Sequence, residues 1–135
     1  MYSEKQKKYY QEYQKLNSEK VNDYNKKSYA KNREGRLTHI RAYQNEVKRQ
    51  VFTHYSNGTM ACKCCEISGM PFLSVDHIEG NGARHRREIG VPTGIRFYFW
   101  LRKNNFPKGF QILCHNCNQA KWIYGECPHK ELLIN

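Results

Sequence analysis

The sequence lacks long apolar segments. Its longest apolar cluster, Phe97-Tyr98-Phe99-Trp100-Leu101, is far too short to cross a membrane, and the mean hydropathy of the chain is −0.93. The N-terminus, MYSEKQKKYY, has no apolar core of the kind found in a signal peptide. We therefore expect no membrane partner and a reducing, cytoplasmic location, where cysteines seldom form structural disulfides.

Acidic residues are also few. The 135 residues contain 12 Asp and Glu against 23 Lys and Arg, which gives a formal net charge of +11. Such a charge favours polyanionic partners, and DNA is favoured over an anionic membrane because the basic half has no broad apolar helix face. With hydrophobic residues at 39%, a large core is not expected, and a chain of this size needs further stabilisation.

The first 60 residues contain no cysteine and no proline, and their 13 basic and 6 acidic residues give a net charge of +7. Two apolar stripes at helical spacing predict helices, with Gly35 separating them. The stripes consist of Tyr9, Tyr13 and Leu16, and of Ile40, Tyr43, Val47 and Val51. We interpret residues 1–58 as a basic, Tyr/Lys-rich helical arm that binds DNA. The alternative is a solvated helix or a partly disordered basic tail.

All six cysteines and all four prolines lie beyond residue 60. Two C-x-x-C motifs, formed by Cys62 with Cys65 and by Cys114 with Cys117, supply the four thiolates of a structural zinc site. Cys64 is an alternative to Cys65 as a ligand. Cys127 and His129 could in principle bind a metal, but we expect them to have a packing or surface role.

The region between and after the C-x-x-C motifs predicts a small α+β domain within residues 59–135. Residues 71–78 favour a short strand after a Pro-containing turn, and several glycines favour a loop up to Gly94. A short aromatic helix is predicted over 95–104, where Phe97–Leu101 serve as packing material. A second strand over 110–113 and a helix over 115–124, ending at Gly125, follow.

The order of these motifs resembles that of a known protein family. C-x-x-C, a strand with Asp76-His77, and then Leu113-Cys114-His115-Asn116-Cys117-Asn118-Gln119-Ala120-Lys121 resemble the HNH endonucleases, whose fold is the ββα-metal, or His-Me, finger. The resemblance covers about residues 60–125. The Asp-His-Asn set also resembles the phage recombination endonucleases that resolve branched DNA. The resemblance as a whole implies a zinc-stapled ββα-metal finger after a basic helical arm, and a phage or mobile-element origin.

The resemblance implies a metal-dependent DNA endonuclease that hydrolyses phosphodiester bonds. His77 would be the general base, a role that suits a neutral imidazole near pH 7. Asp76 and Asn118 would hold a catalytic Mg²⁺ or Mn²⁺ through hard oxygen ligands, while the zinc ion held by four cysteines would only support the scaffold. A single site of this kind cuts one strand at a time, so double-strand cleavage would require a homodimer.

Further basic residues follow the Asp-His pair. The residues expected to contact nucleic acid are Arg84, His85, Arg86, Arg87 and Lys121. The family usually places an asparagine a few residues before the second C-x-x-C motif. Here Gly109 stands at the corresponding place, and Asn81, Asn104 and Asn105 are the alternatives. The competing functions are a non-catalytic zinc-finger DNA-binding protein and an RNA-directed or structural interaction protein. Within the nucleases, a junction resolvase and a site-specific nickase both remain open.

Overall fold

The computed structural model describes residues 2–129 and divides the chain into two compact units, with the boundary between Ala42 and Tyr43. The change in composition predicts this boundary near residue 58 instead. The difference arises because Val47, Val51 and Phe52 belong to the buried core of the second unit. Residues 1 and 130–135, which the predicted arm and domain include, lie outside the described range.

The first unit consists of helix α1, Glu4–Leu16, and the first part of helix α2, Ser18–Tyr55. The prediction that Gly35 separates two helices is wrong, because Gly35 lies within α2 and the break occurs at Asn17. A single glycine costs a helix only about 1 kcal/mol relative to alanine. Asn17 leaves helical geometry at φ −113°, and its side-chain amide donates to the carbonyl oxygen of Tyr13 at 3.0 Å.

The surface of the first unit is basic and aromatic. Residues 1–42 contain 11 basic and 5 acidic residues, a net charge of +6, and no described side chain among them is buried. Six tyrosines, each 49% exposed or more, lie among the lysines: Tyr2, Tyr9, Tyr10, Tyr13, Tyr24 and Tyr29. The helices of this unit therefore have no apolar core of their own.

The second unit is a small α+β domain. After the end of α2 come β1 (Leu73–His77), α3 (Gly82–Glu88), α4 (Ile95–Lys103), β2 (Phe110–Cys114) and α5 (His115–Tyr124). The two strands pair antiparallel, with Leu73 opposite Cys114 and His77 opposite Phe110. Helix α5 follows β2 directly and packs against both strands. Among the described residues, no helix is both long enough and apolar enough to span a bilayer.

The structure confirms the predicted strand at 110–113 and the helices at 95–104 and 115–124, each within one residue. Two predictions differ from it. The first strand begins at Leu73, because Pro71 lies in a 3-10 turn over Met70–Phe72. The predicted loop between the glycines contains α3, since the stretch from Ala83 to Glu88 carries good helix formers.

The core of the second unit joins α2 to the strands. Phe52, Leu73, Leu101 and Ile112 are its largest fully buried side chains, and Val47 and Val51 extend it along α2. Four of the six cysteines, Cys62, Cys114, Cys117 and Cys127, also belong to this cluster. The small apolar core is therefore continuous with the thiols that could hold a metal ion.

Candidate functional site

The first candidate site is a cysteine cluster. The sulfur atoms of Cys62, Cys65, Cys114 and Cys117 all lie within 4.8 Å of one another, and all six cysteines are free thiols. Cys65 and Cys114, from different motifs, have their sulfurs 3.7 Å apart. These four residues could hold a structural metal ion such as zinc, as the spacing predicts, and Cys65 rather than Cys64 belongs to this group.

Backbone amides support this arrangement. The N–H of Cys64 donates to the sulfur of Cys62 and the N–H of Cys117 to the sulfur of Cys114, both at 3.4 Å. Such bonds favour the thiolate form that binds metal. The N–H of Lys63 donates to the carbonyl oxygen of Ile112 at 2.9 Å, so the first motif is tied directly to β2.

A second group of donors lies beside the first. Cys64, Cys117, Cys127 and His129 also have their ligand atoms within 4.8 Å of one another. The expectation of only a packing or surface role for Cys127 and His129 is therefore incomplete. The chain returns to the cluster because Gly125, at φ +84°, ends α5 in a left-handed conformation that glycine adopts easily.

The second candidate site lies where β1 faces α5. Ser74 and Asp76 are two residues apart in β1 and therefore point to the same side of the strand. The side-chain amide of Asn118 donates to the hydroxyl of Ser74 at 3.1 Å. The ammonium of Lys121 lies 2.7 Å from Oδ2 of Asp76, so α5 is held against β1 by a polar pair at each turn.

The carboxylate of Asp76 is buried and hydrogen-bonded on this face. It is 8% exposed, and its Oδ2 accepts from Lys121 and, at 2.8 Å, from the amide of Gln111, its partner across the sheet. Lys121 also donates to the carbonyl oxygens of His77 and Ile78, at 2.7 and 2.9 Å. Its contact with a DNA phosphate stays a prediction, and such a contact would compete with these three acceptors.

The oxygen atoms on this face meet part of what a divalent cation requires. Asp76 and Asn118 offer hard oxygens on one face, as Mg²⁺ and Mn²⁺ prefer. Oδ1 of Asp76 has no hydrogen bond among the described residues, and the amide of Asn118 uses its nitrogen for Ser74, which leaves its oxygen available. The ammonium of Lys121 already neutralises the carboxylate, so a cation would have to bind through Oδ1 beside that lysine.

His77 occupies the opposite side of β1, at the last residue of the strand. Its Nε2 lies 3.0 Å from Nδ1 of His85, and its ring stacks on Phe97 with centroids 5.4 Å apart. Phe110 packs edge-on against the same ring at 4.7 Å. Burial, and then electrostatic interaction with His85 and Arg86, lower the pKa of His77 to about 4. The imidazole is therefore neutral at pH 7.

Gly82, the first residue of α3, faces this imidazole. A Cβ at this position would lie 2.9 Å from Nδ1 of His77 and 3.0 Å from the Nη1 atom of Arg86. Any larger residue would therefore push against the ring. The absence of a side chain at Gly82 therefore lets α3 pack closely against this edge of the ring.

The predicted nucleic-acid contacts on α3 separate into two groups. Arg84 and Arg87 are exposed, and Arg84 lies 3.7 Å from Glu88. His85 points inward, where it contacts His77 and packs edge-on against Trp100 at 5.2 Å. Arg86 is half-buried near Gly82. The structure therefore brings His85 into the surroundings of His77, and DNA contacts by all four residues stay a prediction.

Gly109 stands where the resemblance expects an asparagine, and it makes a backbone contact there. The carbonyl oxygen of Gly109 accepts from the N–H of Ile78 at 3.0 Å and so anchors the residue after His77. Gly109 adopts φ +101°, which favours glycine. The side chain of Asn104 bonds the carbonyl oxygen of Trp100 instead. Gly109 thus provides a backbone contact at the place where the resemblance expects an asparagine.

Sequence reasoning missed several residues of this site. Gln111 and Ser74 contact Asp76 and Asn118, and Gly82 adjoins His77. Only the strand register, which pairs Asp76 with Gln111, could have indicated the first of these contacts. Trp122 is 80% exposed one residue after Lys121, a further feature that the sequence analysis did not single out.

Comparison with protein-family models, with curated proteins and with solved structures finds no match to this chain.

Proposed function

We propose that the chain is a metal-dependent DNA endonuclease, with a small nuclease domain and a basic helical arm. The observation that supports this best is the placement of Asp76 and His77 at the end of β1. The carboxylate faces α5 with Asn118, and the neutral imidazole faces Gly82 on the other side. One strand end thus carries an oxygen-ligand face and a base, which are the two requirements of phosphodiester hydrolysis.

His77 supplies the base in this proposal. If its Nε2–H donates to Nδ1 of His85, the lone pair of the neutral ring lies on Nδ1. The attacking water would lie at hydrogen-bonding distance from Nδ1. His77 would take a proton from that water through Nδ1, and His85 would hold the required tautomer.

Asp76 and Asn118 would hold Mg²⁺ or Mn²⁺. The cation would supply positive charge at the scissile phosphate and at the leaving 3′ oxygen. Lys121 positions the carboxylate of Asp76, because its ammonium also donates to the carbonyl oxygens of His77 and Ile78. We expect products with 5′-phosphate and 3′-hydroxyl ends, as the resemblance implies.

Charge supports DNA as the substrate. The net charge is +11, and the exposed Arg84 and Arg87 on α3 lie just beyond His77 in the chain. The first unit, with a net charge of +6 and exposed tyrosines, has the composition of a surface that follows a phosphate backbone. We place the activity in the cytoplasm, where reducing conditions keep the cysteines available for metal.

Plasmid relaxation tests the proposal. The intact protein, with its zinc content measured, should nick supercoiled DNA in Mg²⁺ or Mn²⁺, and His77→Ala should lose this activity while keeping its zinc. His115→Ala is the matched control, because His115 is exposed on α5 and has no role in the proposal. Equal cutting by His77→Ala and the parent would contradict the assignment of the base.

The ion pair between Lys121 and Asp76 favours a second candidate, a non-catalytic zinc-containing DNA-binding protein. An ammonium 2.7 Å from the carboxylate satisfies its charge without any metal ion. Such a protein would bind DNA, and neither linear, supercoiled nor four-way junction DNA would be cut by the zinc-loaded chain. Cutting of junctions alone would instead identify a resolvase, and double-strand cuts that depend on protein concentration would indicate a homodimer.

A further inference from the structure

The two groups of metal-binding side chains share one residue. Cys117 belongs both to the group with Cys62, Cys65 and Cys114 and to the group with Cys64, Cys127 and His129. The groups therefore contain seven different donors. Two separate tetrahedral sites need eight donors, whereas two sites that share one bridging ligand need seven.

We infer that the protein binds two zinc ions in one cluster, in which the thiolate of Cys117 bridges both ions. One ion is completed by Cys62, Cys65 and Cys114, and the other by Cys64, Cys127 and His129. A thiolate sulfur has lone pairs for two metal ions, and Cys117 is fully buried at the point that both groups share.

The distances suit this assignment. With Zn–S bonds of about 2.3 Å, a tetrahedral ion separates two sulfurs by about 3.8 Å, and a sulfur from an imidazole nitrogen by about 3.6 Å. Nδ1 of His129 lies 3.2 Å from the sulfur of Cys117, 3.4 Å from that of Cys127 and 3.9 Å from that of Cys64. These values lie on both sides of the expected separation.

The cluster also accounts for residues that a single zinc site leaves unused. Cys64 lies between two ligands of the first ion, and its sulfur is directed to His129 instead. Cys127 is buried although it lies beyond the end of α5. The second ion would hold the segment after Gly125 against α5 and the first C-x-x-C motif, in a unit whose apolar core is small.

Metal stoichiometry tests the inference on the full chain, purified under reducing conditions and saturated with Zn²⁺. Mass spectrometry of the metal should find two zinc ions per chain in the parent and one in His129→Asn. Cys127→Ser should also retain one zinc ion. His115→Asn is the control and should keep two, because this histidine is exposed on α5 and belongs to neither group.

Cadmium substitution tests the bridge directly. The parent loaded with ¹¹³Cd²⁺ should show two cadmium resonances that are coupled to each other through the sulfur of Cys117. His129→Asn should show one resonance without that coupling. One zinc ion per chain in the saturated parent would overturn the inference, whatever the variants do. Two cadmium resonances without coupling would overturn the bridging role of Cys117.

Discussion

Replacement of Gly82 by alanine would separate the position of His77 from the stability of the fold. Gly82 is the first residue of α3 and has helical geometry, so alanine would by itself stabilise the protein by about 0.4–1 kcal/mol. The new Cβ, however, would lie 2.9 Å from Nδ1 of His77, whereas ordinary contacts of this kind begin at 3.4 Å.

The imidazole cannot yield without disturbing its neighbours. Phe97 stacks on its ring, Phe110 packs against the edge, and His85 bonds its Nε2. Forcing extra volume into such packing costs about 1–3 kcal/mol, so the net destabilisation should be about 0–2.5 kcal/mol. In the proposed nuclease, the displaced ring should lower the rate of plasmid nicking by roughly 10–100-fold.

The assay compares the initial nicking rate of Gly82→Ala with its thermal unfolding and zinc content. Gly35→Ala is the matched control, since a Cβ at this position in α2 meets no atom within 4 Å. This control should gain helical signal in circular dichroism and cut at the parental rate. A Gly82→Ala protein that nicks DNA as fast as the parent would refute the proposal that the position of the His77 ring sets the nicking rate.

Three further outcomes follow from the contacts of the second unit. Lys121→Met removes the ammonium from the buried carboxylate of Asp76 and should destabilise the domain by about 3 kcal/mol in urea unfolding; adding Asp76→Asn should restore much of this loss. Tyr55→Phe removes the 2.8 Å hydrogen bond to the carbonyl oxygen of Pro107 and should cost about 1 kcal/mol in the same measurement, and an unchanged midpoint would contradict the role of this bond. The pKa of His77 is about 4 in the folded state against 6.5 for an ordinary histidine, so the unfolded chain takes up a proton first as the pH falls. Stability should therefore decline between pH 6.5 and pH 4, and less steeply in His77→Phe.

The elements of the second unit were largely readable from local patterns. The aromatic helix α4 and the helix that begins after Cys114 follow from their composition and from the glycine at 125. The ends of the helices and strands were predicted less well. The strand predicted over 71–78 begins later because Met70–Phe72 form a 3-10 turn, and Gly35 marked a break that α2 does not have, because one glycine is a small cost to a long helix.

In the candidate site, too, some relations between residues could be predicted from the sequence and others could not. The two C-x-x-C motifs predicted that Cys62, Cys65, Cys114 and Cys117 belong together, and the structure brings their sulfurs within 4.8 Å. Adjacent residues of a strand point to opposite sides, and Asp76 and His77 do so at the end of β1. Both are relations between residues near each other in the chain, or between motifs that only a shared metal ion would explain.

The remaining contacts depend on how the elements pack. The sequence by itself determined the basic charge, the cysteine motifs and the Asp-His pair within a predicted strand, because each is a matter of composition or short spacing. Only the tertiary structure decided that Lys121 neutralises Asp76, that His85 binds His77, and that His129 returns to Cys117. Side chains 8 to 45 residues apart meet there because strand pairing, helix packing and the turn after α5 bring them together.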